Sequence, residues 1–371
     1  MFILESRQLK NKTIVVIANF DVGLYKFRKA LLKRLISDGN RVYVLLPSGE
    51  LIPKLRDIGC EYIETAIERR GMNPFKDLSL FRTYRRLLKK IRPDLVITYT
   101  VKPNIYGGIA CRLLKIPYSA NITGLGSALE GSGVLKKLVL SMYKFALKKA
   151  KVVFFENEGN KDTLVGAGVV NEAHTCVLNG AGIDASEYSL TDYPPSGPVN
   201  FLFVGRIMKE KGIDELYSAI SKLKSEYGDG VRLDVVGMFE ESYQRQTELL
   251  NNQGVIDFHG FRNDVADFYA KAHCVVLPSY HEGMSNVLLE AGAMGRPLIT
   301  SNIHGCMEAV IDNTSGFLCK PKSADSLYVA MKHFIELSYA DKMKMAVASF
   351  EYVSLKFDKE AVVEETLKHL Y

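Results

Sequence analysis

Six cysteines are all the chain has, and none forms a Cys-x-x-Cys pair. Cys60, Cys111, Cys176, Cys274, Cys306 and Cys319 are scattered, mostly in or beside apolar segments, which reads as reduced core thiols in a cytosolic protein. No stretch reaches the roughly 18 uninterrupted apolar residues of a spanning helix. Met1 to Lys12 holds no long apolar run, so no signal peptide is expected. Asp-x-Asp, His-Glu-x-x-His, a phosphate-binding Gly-x-x-x-x-Gly-Lys-Ser/Thr loop and Cys/His clusters are all missing, so no motif for a bound metal is present. No Gly-x-G-x-x-Gly follows the first expected strand, which argues against a dinucleotide-dependent dehydrogenase but not against its fold class. All seven histidines lie at or after His174.

At 371 residues, 47% hydrophobic and 24% charged, the chain is long enough for two domains with separate cores. The net charge of +6 hides an asymmetry. Residues 1–185 carry 30 Lys and Arg against 16 Asp and Glu, a net of +14, and the remainder carries 18 against 26, a net of −8. Either surface charge has drifted between domains, or the first half faces an anion such as nucleic acid, lipid headgroups or a phosphorylated acceptor.

Buried apolar strands alternate with helices from the start. Strands are expected at Thr13–Ala18, Arg41–Leu46, Glu61–Thr65, Asp94–Thr98, Pro117–Ile122 and Val152–Phe155, with helices at Leu24–Ser37, Glu50–Asp57, Leu78–Ile91 and after Asn104. The pattern stops at Ser186–Pro198, rich in proline, which reads as an interdomain connection. It resumes with strands at Phe201–Val204, Arg232–Val236, Val255–His259, His273–Leu277 and Pro297–Thr300, and helices at Ile213–Tyr227, Glu241–Asn251 and Asp264–Ala272. The class is α/β, with two doubly wound parallel sheets. The expected domains are 1–190 and 191–354, with a final helix in 355–371 returning to the first domain.

Pro278 to Glu308 holds the densest chemistry. Glu282 precedes a helix whose first turn carries Ser285 and Asn286, and Glu290 lies within it, roughly 10 Å further along the axis. That separation suits two hydroxyl-bearing parts of one long ligand and is too wide for a carboxylate dyad. The N–H groups from Gly283 and Met284 to Val287 would lie between and welcome a phosphate. The plain alternative makes Glu290 a helix carboxylate favoured by the dipole and Glu282 a solvated loop residue. Arg206 and Lys211 sit between a strand and a helix, where two cations would neutralise a departing diphosphate; otherwise they form a solvated basic loop. Gly23, after the first strand, either admits close backbone approach to a ligand or is an ordinary turn glycine.

Glu282-Gly283 with Glu290, and Gly205-Arg206 with Lys211-Gly212, resemble the retaining family-four glycosyltransferases of the GT-B fold. The resemblance implies two Rossmann-like domains facing a central cleft. It implies Glu282 at the donor sugar, Glu290 at the ribose, Arg206 and Lys211 at the diphosphate, and the backbone near Gly260 and Phe261 at the base. No resident cofactor or metal is expected: the UDP-sugar is a substrate, and Arg206, Lys211 and the helix N-terminus stand in for a cation. Relatives with an N-domain histidine near the sugar have there what this chain replaces with Asn121 to Gly126.

Leu24 to Arg28, Arg69 to Pro74, Lys102 to Gly107, Thr123 to Gly126 and His304 to Glu308 are similar to a subgroup making capsule, O-antigen and bacterial N-glycans on undecaprenyl diphosphate. The resemblance implies transfer of a hexose or N-acetylhexosamine, with GalNAc or GlcNAc favoured, to a lipid-linked saccharide at the inner face of the cytoplasmic membrane. Charge and resemblance together point to Lys26, Arg28, Arg69, Arg70, Asn73, Lys102, Asn104 and Thr123 for the acceptor. Val134 to Lys151 reads as a basic amphipathic helix, with Leu135, Leu138, Val139, Met142, Phe145 and Ala146 on one face. It either lies on anionic lipid or packs on its own sheet. Two other functions stay open: a nucleotide-sugar epimerase, which would turn over donor alone, and a nucleic-acid binder, against which no known module appears.

Overall fold

The computed structural model describes residues 10–67, 73–125 and 133–370. The chain forms two compact units, Met1–Ala181 with Lys359–Tyr371, and Gly182–Asp358. The expected division at 190 moves back because the segment after Gly182 is already bonded into the second unit. Ile183 N–H donates to Phe357 O at 2.7 Å. The fully buried Arg296 donates to Thr191 O at 3.0 Å and Asp192 O at 2.8 Å, fastening the proline-rich stretch. Burial lowers that guanidinium's pKa to about 10. The returning helix begins at Lys359, since residues to Lys356 continue the preceding one.

In the first unit, β1 (Thr13–Ile17), β2 (Arg41–Leu46), β3 (Glu61–Glu64), β4 (Leu95–Tyr99), β5 (Tyr118–Ile122), β6 (Val153–Phe155) and β7 (Thr175–Val177) form one parallel sheet. Their order is β3-β2-β1-β4-β5-β6-β7. Ile14 and Val16 pack on one face with Leu31 and Leu35 of helix Asp21–Ser37 and with Val363 and Leu367 of the final helix. Val15 and Ile17 pack on the other with Tyr84 and Leu88 of helix Pro74–Ile91. Both faces are covered, which is why these strands read as unbroken apolar runs rather than alternating ones.

The second unit repeats the plan. Strands β8 (Val199–Val204), β9 (Val231–Val236), β10 (Asp257–Gly260), β11 (Cys274–Leu277), β12 (Leu298–Ser301) and β13 (Gly316–Cys319) are parallel, in the order β10-β9-β8-β11-β12-β13. In each sheet the order reverses once, between β1 and β4 and between β8 and β11. The loops leaving the carboxyl ends of such a pair diverge and leave a crevice for a ligand.

Helix Val134–Leu147 divides its apolar side. Val139, Tyr143, Ala146 and Leu147 are buried, whereas Val134, Leu135, Leu138 and Phe145 stay exposed. The single apolar face expected from the sequence is thereby corrected: one stripe packs on the unit and a second faces solvent. Among the described residues no helix is long and apolar enough to cross a membrane.

Candidate functional site

In the second unit, the loop after β8 carries Arg206 and Lys211, and the loop after β11 carries Glu282. Both leave the reversal point of the sheet. Gly212 (φ 72°) brings the two loops together, since a Cβ there would lie 2.1 Å from Pro278 O. Tyr280 N–H donates to Glu210 O at 2.8 Å across the same contact. Lys211 and Glu282, 71 residues apart, form an ion pair, and Ser279 Oγ donates to Glu282 at 2.8 Å. The two side chains are only 17% and 13% exposed, so the pair is largely withdrawn from water. Arg206 stands more open, 47% exposed, with Glu240 at 3.5 Å.

Helix Asn286–Ala293 follows, capped by Ser285. Not every N–H near its start is available as expected, because Ser285 N–H donates to Gly305 O at 2.8 Å. The amides of Asn286 and Val287, in the first turn, have no intrahelical acceptor. Met284 and Ser285 are buried, and Gly283 and Val287 half-buried. Gly305 (φ 88°) allows its loop to close over this turn: a Cβ there would meet Gly283 O at 2.6 Å. Glu308 accepts from Gly305 N–H at 2.6 Å and approaches His304 Nδ1 at 2.8 Å.

Glu290 is gripped from outside its own helix. The buried Tyr269 hydroxyl donates to Glu290 Oε2 at 2.9 Å. Burial, with Glu290 adding to it, pushes the phenols of Tyr269 and Tyr188 well up, so both keep their protons beside the carboxylate. At the end of β10, Gly260 takes φ 65° and Phe261 is 61% exposed, presenting a free aromatic face.

The first unit gathers several expected residues at its own reversal point and removes others. Helix Asp21–Ser37 starts before Gly23, so Gly23 is a first-turn residue and not part of a loop; a Cβ there would meet only Phe20, at 3.7 Å. Lys26 is exposed. Arg28 is paired with Glu156 and lies 5.0 Å from the Tyr99 ring. Lys102 is paired with Asp77 at 2.8 Å. Asn104 is withdrawn from any ligand role: it is fully buried, accepting from Thr98 Oγ1 at 2.6 Å and donating to Asn121 O at 2.8 Å. Its amide holds the π-helical turn Pro103–Gly107 to β4 and β5. Asn73 caps helix Pro74–Ile91, accepting from Phe75 and Lys76 N–H at 3.1 and 3.2 Å. Thr123 is half-buried just after β5. Arg69, Arg70 and Gly126 lie outside the described residues.

Sequence reading missed Ser279, Tyr188, Tyr269, Glu156 and Asp77 as partners of the site residues. Ser279 was within reach as a hydroxyl three residues from Glu282. The others come from distant segments, and no local spacing points to them.

The chain is similar to known proteins over both units. The family of 4-like glycosyl transferases matches residues 17–157, and that of glycosyl transferases group 1 matches residues 193–349. An N,N'-diacetylbacillosaminyl-diphospho-undecaprenol alpha-1,3-N-acetylgalactosaminyltransferase of Campylobacter jejuni is 28% identical, over 93% of this chain and 95% of its own. The Escherichia coli UDP-Gal:alpha-D-GlcNAc-diphosphoundecaprenol alpha-1,3-galactosyltransferase is 27% identical over 71% of each. Among solved structures, HepE of Anabaena in complex with UDP and glucose superposes with a TM-score of 0.79 at 19% identity, covering 97% of this chain and 99% of that one. With a 4-like module on the first sheet and a group 1 module on the second, the chain belongs to the GT-B glycosyltransferases of group 1 and its 4-like relatives.

Proposed function

We propose that the chain is a retaining transferase that moves a hexose or N-acetylhexosamine from a UDP-sugar to an undecaprenyl-diphosphate-linked saccharide, GalNAc or GlcNAc being the favoured sugar. The observation that carries the donor half is the Lys211–Glu282 pair beside Arg206, at the reversal point of the second sheet. Arg206 and Lys211 take the diphosphate and neutralise the charge that develops as UDP leaves, with the amides of Asn286 and Val287 adding donors. Glu282 receives hydroxyls of the sugar, Glu290 those of the ribose, and Gly260 and Phe261 the base. No metal enters this scheme. The acceptor half rests on the Campylobacter and E. coli relatives, whose names specify diphospho-undecaprenol acceptors. Lys26, Arg28, Lys102, Asn73, Thr123 and the Arg69–Arg70 pair are the groups proposed to meet it. Helix Val134–Leu147, with its exposed Leu135, Leu138 and Phe145 among lysines, supports a peripheral seat on the anionic inner face of the cytoplasmic membrane.

The test is to incubate the protein with a panel of UDP-sugars, with and without undecaprenyl-diphosphate-linked saccharides, those carrying a single N-acetylated sugar included. An acceptor-dependent product with the donor's anomeric configuration is expected. Conversion of a UDP-sugar to its epimer without acceptor, or an inverted product, would sink the proposal.

A further inference from the structure

A second chemical grouping lies in the first unit, at the outer edge of its sheet. Cys176 is on β7, which ends the strand order and has one unpaired edge. Glu365 and His369 are four apart on helix Lys359–Leu370 and therefore share one ridge. One donor atom from each of the three lies within 4.8 Å of the others. Cys60, Cys111, Cys274, Cys306 and Cys319 are buried, and Cys176 is half-buried against the apolar core.

We infer that Cys176, Glu365 and His369 form a divalent-metal site of thiolate, imidazole and carboxylate ligands, suited to Zn²⁺, that staples the final helix to the edge of the sheet. The donor set fits a borderline-soft ion: Zn²⁺ accepts all three ligand types in tetrahedral geometry. Bonds of about 2.0–2.3 Å put tetrahedral ligands about 3.3–3.7 Å apart, so the trio needs to contract by about an ångström. His369 Nδ1 donates to the Glu365 carbonyl at 3.0 Å and lies 3.3 Å from the Glu365 carboxylate, so an ion would bind Nε2, or take Nδ1 at the expense of that hydrogen bond; the ring meets Phe154 edge-on at 6.2 Å. Lys368 also faces Glu365, at 3.3 Å, but is 71% exposed and can swing into water when an ion takes its place. Three protein ligands leave the fourth position to water.

Binding of the ion releases the thiol proton to solvent and leaves the thiolate on the metal. The consequence is mechanical. The final helix comes from far along the chain and covers the first unit's core through Val362, Val363, Leu367 and Leu370. An ion joining it to β7 stabilises the folded chain by mass action, because residues 176 and 365 lie apart once it unfolds.

The experiment is titration of ZnCl2 into the full-length, metal-free protein by calorimetry, with the absorption spectrum of the Co²⁺ form recorded in parallel. One ion per chain, a thiolate-to-cobalt charge-transfer band and a higher Tm with Zn²⁺ are expected. Cys176→Ser and His369→Ala should each weaken binding by at least about tenfold, the lower bound for disturbing even an outer partner of a ligand. Glu365→Gln, a near-isosteric change on a half-exposed surface, should weaken it too and guards against a folding artefact. Equal affinity in parent and Cys176→Ser, or a Co²⁺ spectrum without the thiolate band, overturns the assignment. So does zinc binding that survives all three changes, which would place the ion on exposed histidines elsewhere. None of these readouts depends on the sugar or acceptor proposed above.

Discussion

Replacing Lys211 with Ala tests the proposed donor site most sharply, because the Lys211–Glu282 pair would couple stability to catalysis there. Removing one partner of a fully buried pair costs about 3–5 kcal/mol, since the other charge is left without its counterion. Here the side chains are 17% and 13% exposed and Ser279 Oγ still donates to Glu282 at 2.8 Å. A cost of about 1–3 kcal/mol is therefore expected for Lys211→Ala, discounted from the fully buried value for this residual exposure. Arg206 is 47% exposed. Its change to Ala should alter stability by no more than about 0.5 kcal/mol, as for an ordinary surface site. Both variants should lose about 10²–10³ in kcat with saturating donor, the scale for deleting one charge contact to a developing anion. Urea denaturation and steady-state kinetics on the same preparations separate the two effects. The double variant Lys211→Met with Glu282→Gln should regain much of the stability and none of the turnover, because the carboxylate that lost its lysine is neutralised while the clamp is still missing. A Lys211→Ala protein as stable as the parent would show that the pair is not formed in solution. Near-parental kcat in either single variant would remove that residue from the clamp.

Tyr269→Phe deletes the 2.9 Å hydrogen bond to Glu290 without changing packing, so the KM for the donor should rise several-fold with kcat little changed; an unchanged KM would separate Glu290 from ribose binding. Turnover should persist in excess EDTA, measured well below the melting transition so that stripping a structural ion does not unfold the chain; complete loss restored by Mg²⁺ or Mn²⁺ would overturn the metal-free clamp. Changing Lys137, Lys144 and Lys148 together to Glu should abolish sedimentation with anionic liposomes while UDP binding persists, and unchanged sedimentation would clear this helix of a docking role. His273, whose Nδ1 accepts from Asn200 N–H at 3.1 Å, has its pKa lowered from 6.5, chiefly by burial. The unfolded chain therefore takes up a proton before the folded one, and stability should fall as pH drops through 6.5, a dependence that His273→Gln should flatten in chemical denaturation.

The sheets were legible because covering both faces forces continuous apolar runs, as in Ile14 to Ile17 or Cys274 to Leu277. Short edge elements such as β7 carry too few residues for that signal and were not expected. Spacing placed Glu282 and Glu290 eight residues apart on a loop and helix, and the structure has them there. It could not reveal what each one touches: Lys211 is 71 residues from Glu282, Tyr269 is 21 from Glu290, and Glu156 is 128 from Arg28. Asn104 shows the opposite failure. A polar residue beside Lys102 invites a binding role, but its burial against Thr98 and Asn121 depends on a crossover that a linear pattern does not encode.

Those long-range partners change what the charge count means. From composition, the first half offers a net of +14 to an anion. Two of its cations nearest the reversal point, Arg28 and Lys102, are already neutralised by Glu156 and Asp77, with every side chain involved at most 13% exposed. A phosphate arriving there must displace a carboxylate or use the N–H groups it leaves over, so these pairs set geometry more than they add attraction. Lys137, Lys144, Lys148 and Lys149 are exposed and, among the described residues, have no carboxylate partner. Their charge acts through solvent, reaches about 8 Å at physiological ionic strength, and fades with added salt. Under the proposed function, long-range attraction to an anionic surface would fall to such exposed cations, those on and just after helix Val134–Leu147 together with Arg82, Arg85, Arg86, Lys89 and Lys90 of helix Pro74–Ile91, and close recognition of a diphosphate to the paired residues. Raised salt should weaken the first well before the second, because pairs screened from water are least affected by ions in it.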